Sequence, residues 1–209
     1  MPASSWSQET SANGELNDWL KRVHEASRHR AYSGTFVVSA AGNLSSARIW
    51  HACEGDQQIE RVESLSGRPR ATFRRNDQVV TFFPESRVAV VETRESLGLF
   101  PGLLQSNNSS ISDTYKFRRL GMERIAGYES DVVVLQPPDT MRFGYRDWTE
   151  RRTGLVMQLQ TLDMDGRVLE QAAFSELQLE SPVSLAKLHQ MMGNTGGYRV
   201  ERPDLQKVT

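Results

Sequence analysis

Two side chains have the type and spacing for catalysis. His51 and Cys53 stand at i and i+2 in Ser45–Glu54, a stretch that alternates like a β-strand. On a strand such residues share a face, and an imidazole beside a thiol can hold it as a nucleophilic thiolate. Ala47 and Ile49 fall on that same face, however, which is the composition of a half-buried inner surface. No third residue is placed to orient the histidine, and two ligands do not make a stable metal site. Neither catalytic nor metal-binding residues are therefore assigned. Asp163 and Asp165, in Asp163-Met164-Asp165-Gly166, read as hairpin-turn chemistry, because no glutamate follows at the twelfth position of a calcium loop. His24, His29 and His189 fall on expected surface helices without partners. Arg142, Arg146, Arg151 and Arg152 form a stripe on one hairpin, but Asp139, Asp147 and Glu150 lie among them and predict a self-paired, solvated face. Glycine-rich phosphate loop, nucleophile elbow and His-Glu-x-x-His motif are all missing from the sequence. The chain is not expected to be an enzyme, and no cofactor is implied.

The bulk properties narrow the field further. The chain has 209 residues, of which 38% are hydrophobic and 24% charged, as in ordinary globular domains. Its 25 basic and 26 acidic residues give a net charge of −1, where a nucleic-acid binder would show a basic excess. No nucleic-acid partner is expected. A single cysteine forbids an internal disulfide. No apolar run approaches the ~20 residues of a membrane-spanning helix. The N-terminus lacks the basic stretch and apolar core of a signal peptide.

The periodicity then supplies the elements. Residues 1–14, rich in Ser, Ala and Gly, are expected to be disordered. Leu16, Trp19, Leu20 and Val23 make one face of a helix ending near Arg30, with Ser11 or Asn13 as its cap. Strands are expected at Tyr32–Val38, Ser45–Glu54, Gln57–Ser64, Arg70–Arg75, Gln78–Phe83 and Arg87–Thr93. After an interruption at Glu95–Asp113 they resume at Tyr115–Ile125, Tyr128–Gln136, Phe143–Glu150, Leu155–Leu162 and Val168–Leu179. Short turns between such strands mark an antiparallel meander. A short helix follows Ser181-Pro182 through Leu185, Leu188 and Met191 to Gly193, and residues 193–209 read as a linker or a lone edge strand.

Several segments in succession resemble the N-terminal domain of the MucB/RseB family. They are the helix ahead of YSGTFVVSAAG (Tyr32–Gly42), then ARIWHACEGDQQIERVESLSGRPR (Ala47–Arg70) and RRNDQVVTFFP (Arg74–Pro84). FRRLGMERIAGYESDVVVLQP (Phe117–Pro137) and RFGYRDWTERRTGLVMQLQTLDMDGRVLEQAAFSEL (Arg142–Leu177) complete the series. The resemblance implies a mainly β fold: a large curved antiparallel sheet, a half-open barrel of about 10–11 strands with a few helices in its concave face. It implies one such domain over residues 15–192, with 193–209 starting a linker to a second domain beyond this chain.

The implied function is regulatory and periplasmic. Members bind the periplasmic part of a membrane anti-sigma factor, shield it from regulated proteolysis and restrain an envelope-stress sigma factor. Lipid or lipopolysaccharide is the implied releasing signal, and the protein's own C-terminal domain a further partner. A lipid or lipoprotein carrier on the same fold is the alternative. Leu97, Leu99, Phe100, Leu103 and Leu104, crowded around Gly98, Pro101 and Gly102, are expected to form either an apolar lid over the concave face, competing there with acyl chains, or a permanent core helix. Trp50 and Trp148 alternate with the series Ile49/His51 and Phe143/Tyr145, which places them on the outer face as contacts for a partner.

Overall fold

The computed structural model describes residues 6–94, 97, 114–180 and 183–203. The chain opens with helix α1 (Trp6–His29) and continues through β1 (Tyr32–Ala40), β2 (Asn43–Glu54), β3 (Gln57–Ser64), β4 (Ala71–Arg75), β5 (Gln78–Phe83) and β6 (Val88–Thr93). The second series is β7 (Lys116–Ile125), β8 (Tyr128–Gln136), β9 (Gly144–Glu150), β10 (Val156–Leu162) and β11 (Val168–Leu179). Helix α2 (Leu185–Gly193) and β12 (Arg199–Glu201) follow. Hydrogen bonding orders the strands β12-β6-β5-β4-β3-β2-β1-β11-β10-β9-β8-β7, an open sheet with β12 and β7 at its ends. The described residues form twelve strands where ten or eleven were expected. The additional one, β12, is the edge strand that residues 193–209 offered as an alternative to a linker; it is three residues long and pairs with β6 in parallel. The other pairings described residue by residue are antiparallel.

Backbone packing divides the chain into two compact units. The first contains α1 up to Arg28 and β7 to β10. In α1, Leu16, Trp19 and Val23 lie on one face, as the 3.6-residue period dictates. They are buried together with Val133 and Leu135 of β8 and Val156 and Leu159 of β10. Each such side chain contributes roughly 1.5–3 kcal/mol on burial. That anchorage explains why α1 begins at Trp6 and not near residue 14. Once a helix is nucleated, each added residue gains a hydrogen bond, which overrides the weak propensities of Asn13 and Gly14. Gly14 is exposed, and a Cβ there would meet nothing within 4 Å. Gly14→Ala is therefore expected to stabilise the domain by about 0.5–1 kcal/mol, read as a raised midpoint in thermal unfolding followed by circular dichroism.

The second unit contains most of β2, with β3 to β6, α2 and β12. Helix α2 is capped by Ser184, whose side chain accepts from the Lys187 N–H, three residues beyond the start that Ser181-Pro182 predicts. Its Leu188 and Met192 are buried against Ala52, Ile59, Phe73, Val80, Phe82 and Ala89. At the far end of the strand order, β7 carries a bulge between Arg119 and Gly121, where Gly121 adopts φ +126°.

Candidate binding groove

The two-residue turn between β2 and β3 sets Glu54 opposite Gln57, and with it Trp50 opposite Arg61. On the next strand Phe73 stands opposite Arg61. These three side chains share the face that α2 covers, since Phe73 is followed across the sheet by Val80 of the same cluster. The Arg61 guanidinium carbon sits 4.5 Å from the Trp50 ring centroid and 5.7 Å from that of Phe73. One Nη of Arg61 donates to Glu63 Oε2 at 2.8 Å, while its buried Nε has no hydrogen-bond partner among the described residues. A groove of about 380 Å³ opens beside this arginine. Phe73, Phe82, Pro84 and Met191 give it apolar walls, and Arg61, Arg70, Glu63 and Asn194 supply polar groups. Tyr198, edge-on to Phe82 at 5.1 Å, closes one side. Apolar walls with a few convergent polar groups are the ordinary make-up of a binding site.

The residues singled out from the sequence are distributed differently. Trp50 is half-buried in the α2-side cluster, not on an open outer face. Its alternation with Ile49 and His51 is as expected, but both faces of these strands are buried, and alternation does not tell which one a helix covers. Trp148 lies on the face opposite α1, since its neighbour Thr149 accepts from the Trp19 Nε1–H. Only 4% of Trp148 is exposed, and its Nε1–H donates to Glu123 Oε2 at 2.9 Å. It therefore offers no open aromatic surface. Of the lid segment, Leu97 is half-buried; Leu99, Phe100, Leu103 and Leu104 lie outside the described residues.

His51 and Cys53 do not form an activated pair. His51 is 1% exposed, stacked on Tyr32, with Nδ1 donating to the Arg30 carbonyl at 2.6 Å and Nε2 3.4 Å from Gln58 Oε1. Burial pushes the Cys53 thiol up, against a smaller opposing effect of Arg30, which is the reverse of thiolate activation. The aspartates of the β10–β11 turn act as expected: Asp163 Oδ1 accepts from the N–H groups of Asp165 and Arg167. The arginine stripe is largely self-paired, Arg142 with Asp139, Arg151 with Glu129 and Asp131, and Arg152 with Glu150. His189 is not alone, because Arg75 donates to its Nε2 at 2.7 Å, and the Arg28 guanidinium lies 3.4 Å from His24 Nε2. Among the described residues, no three His, Cys, Asp or Glu side chains come together to hold a metal ion.

Arg61 escaped the sequence reading, yet a signal existed. A two-residue turn at Gly55-Asp56 fixes the hairpin register, and counting back from it pairs Trp50 with Arg61. Asp147 also escaped. It lies in β9 opposite Val133 and Leu159, is fully buried beneath α1, and neither carboxylate oxygen has a partner among the described residues. Burial alone drives its pKa well above the usual carboxylate range.

An open, mainly β sheet with a helix against each unit and an arginine-aromatic groove defines a domain equipped to bind. The MucB/RseB N-terminal domain family model matches residues 15–192, and the chain belongs to that family. It is 29% identical over 164 residues to the sigma factor AlgU regulatory protein MucB of Pseudomonas aeruginosa, covering 78% of this chain and 50% of that protein. It is 25% identical over 162 residues to the sigma-E factor regulatory protein RseB of Escherichia coli K12, with the same coverages of 78% and 50%. The chain thus spans about half the length of these relatives. Among solved structures, MucB in the Pseudomonas aeruginosa MucA/MucB complex superposes with a TM-score of 0.68 at 26% identity, over 83% of this chain and 60% of that one.

Proposed function

We propose that this domain is part of a periplasmic regulator that binds the periplasmic part of a membrane anti-sigma factor. Bound there, it shields the anti-sigma factor from regulated proteolysis and so restrains an AlgU- or sigma-E-like envelope-stress response. The observation that carries this reading is the family match across residues 15–192, joined to a solved relative in complex with MucA. The role is non-catalytic, which is supported by the fully engaged His51 and the raised thiol pKa of Cys53. An apolar cover at Leu97–Leu104, lifted by lipid or lipopolysaccharide, belongs to the same proposal.

Calorimetry against the periplasmic segment of a MucA-like anti-sigma factor tests it. The 209-residue chain is expected to bind, and a version extended to the full length of the relatives to bind more tightly. No binding by the extended version would overturn the reading, and equal affinities would remove the role of the added half.

A further inference from the structure

We infer that the groove beside Arg61 receives the C-terminal residue of a polypeptide, its carboxylate on Arg61 and its bulky apolar side chain between Phe82 and Met191. This goes beyond the regulatory reading and rests on the groove alone. Four observations support it. The guanidinium lies over the Trp50 ring at 4.5 Å, with the Phe73 ring at 5.7 Å, and is tied to Glu63, so it is oriented before any ligand arrives, and little freedom is lost on binding. Its Nε–H is buried without a partner among the described residues, a donor that costs free energy until an acceptor reaches it. The charged groups lining the groove are Arg61 and Arg70 against the single carboxylate of Glu63, which leaves an excess positive charge for an anion. A volume of about 380 Å³ suits one large side chain with its terminal backbone.

The polar groups separate a peptide from a simple amphiphile. Asn194 lines the same groove, and its amide both donates and accepts, which matches the last peptide bond of a chain. An ionised fatty acid can accept from that amide but has no N–H to donate to its oxygen. Glu63 acts as the stand-in anion: it holds one Nη of Arg61 at 2.8 Å while its own side chain is 41% exposed. An incoming carboxylate takes the Nε–H and the adjacent Nη–H, and Glu63 swings out to water.

The test titrates the 209-residue chain by calorimetry with acetyl-Ala-Ala-Ala-Phe as the free acid, the same peptide amidated at its C-terminus, and decanoate below its micelle-forming concentration. The free acid is expected to bind at least about 10-fold more tightly than the amide, which is about 1.4 kcal/mol. Arg61→Gln is expected to abolish that difference. Glu63→Gln removes the competing carboxylate and is expected to tighten the free acid roughly 3- to 10-fold, an increase that a damaged fold would not produce. Equal binding of acid and amide, no binding of either, or weakened binding in Glu63→Gln overturns the proposal. Decanoate binding as tightly as the peptide overturns it in favour of an acyl-chain site.

Discussion

Exchange of Asp147 for valine is expected to stabilise the domain by about 1–3 kcal/mol at neutral pH, the range typical of relieving an unsatisfied buried polar group. The carboxyl is wholly buried under α1, flanked across the sheet by Val133 and Leu159, with no partner for either oxygen among the described residues. Burial raises its pKa well above the ordinary value. The folded state therefore keeps a proton that the unfolded chain gives up above about pH 4. A raised folded pKa contributes stability that is complete below the unfolded pKa and is lost as pH rises toward the folded one, by up to about 1.4 kcal/mol per pH unit. The advantage of Asp147→Val should accordingly widen between pH 5 and 8, and Asp147→Asn should flatten the same slope. Urea unfolding of the three proteins at pH 5, 6.5 and 8 measures this. Parallel pH profiles for all three would show that Asp147 is ionised or paired in the fold.

Gly154→Ala is expected to cost about 2–5 kcal/mol. Gly154 ends the β9–β10 turn at φ +81°, where an L side chain costs roughly 1–2 kcal/mol. A Cβ there would also stand 2.7 Å from Arg22 Cγ and 3.1 Å from the Arg22 carbonyl oxygen of α1, and overpacking of that kind costs roughly 1–3 kcal/mol more. The closeness serves a purpose: Arg22 donates to the carbonyls of Glu150 and Arg151, clamping α1 onto this turn. The turn itself is held by Glu150. Burial opposes its ionisation, but the Thr153 hydroxyl and the N–H groups of Arg152 and Thr153 all donate to its carboxylate, and Arg152 adds charge, so its pKa falls below the usual range. Thermal unfolding of Gly154→Ala should show the loss, and Arg22→Ala in the same background should restore only part of it, because the carbonyl contact and the positive φ persist. Full restoration would mean that the side-chain overlap is the whole effect.

The strand series was legible because its turns are short and its alternation clean: β3, β5, β8 and β11 have the boundaries read from the sequence. What alternation does not carry is which face is covered. Trp50 and Ile49 both point into buried surroundings, on opposite sides, so a period of two separates them without saying which meets α2. Asp147 was illegible for a related reason. Between Arg146 and Trp148 it reads as one more charge on a solvated hairpin, and only α1, packed from more than a hundred residues away in sequence, makes it a core residue. The N-terminal half of α1 was missed because local propensity at Asn13 and Gly14 is overridden by anchorage further along the helix.

Strand β7, at one end of the hydrogen-bonded order, bears on how the molecule behaves in a crowd of its own copies. Among the described residues β7 has a partner strand on one side only, and Leu120 and Met122, both well exposed, would make such an edge adhesive. Lys116, Arg118, Arg119 and Arg124 place four cations along those ten residues, of which Arg119 pairs with Glu15 at 3.6 Å, while the strand's one acid, Glu123, is occupied by Trp148. Two such edges approaching each other meet like charge against like charge. The bulge at Gly121 further breaks the flat, regular ladder that a second copy would need as a template. A cationic, bulged edge of this kind disfavours self-templated strand pairing at high concentration.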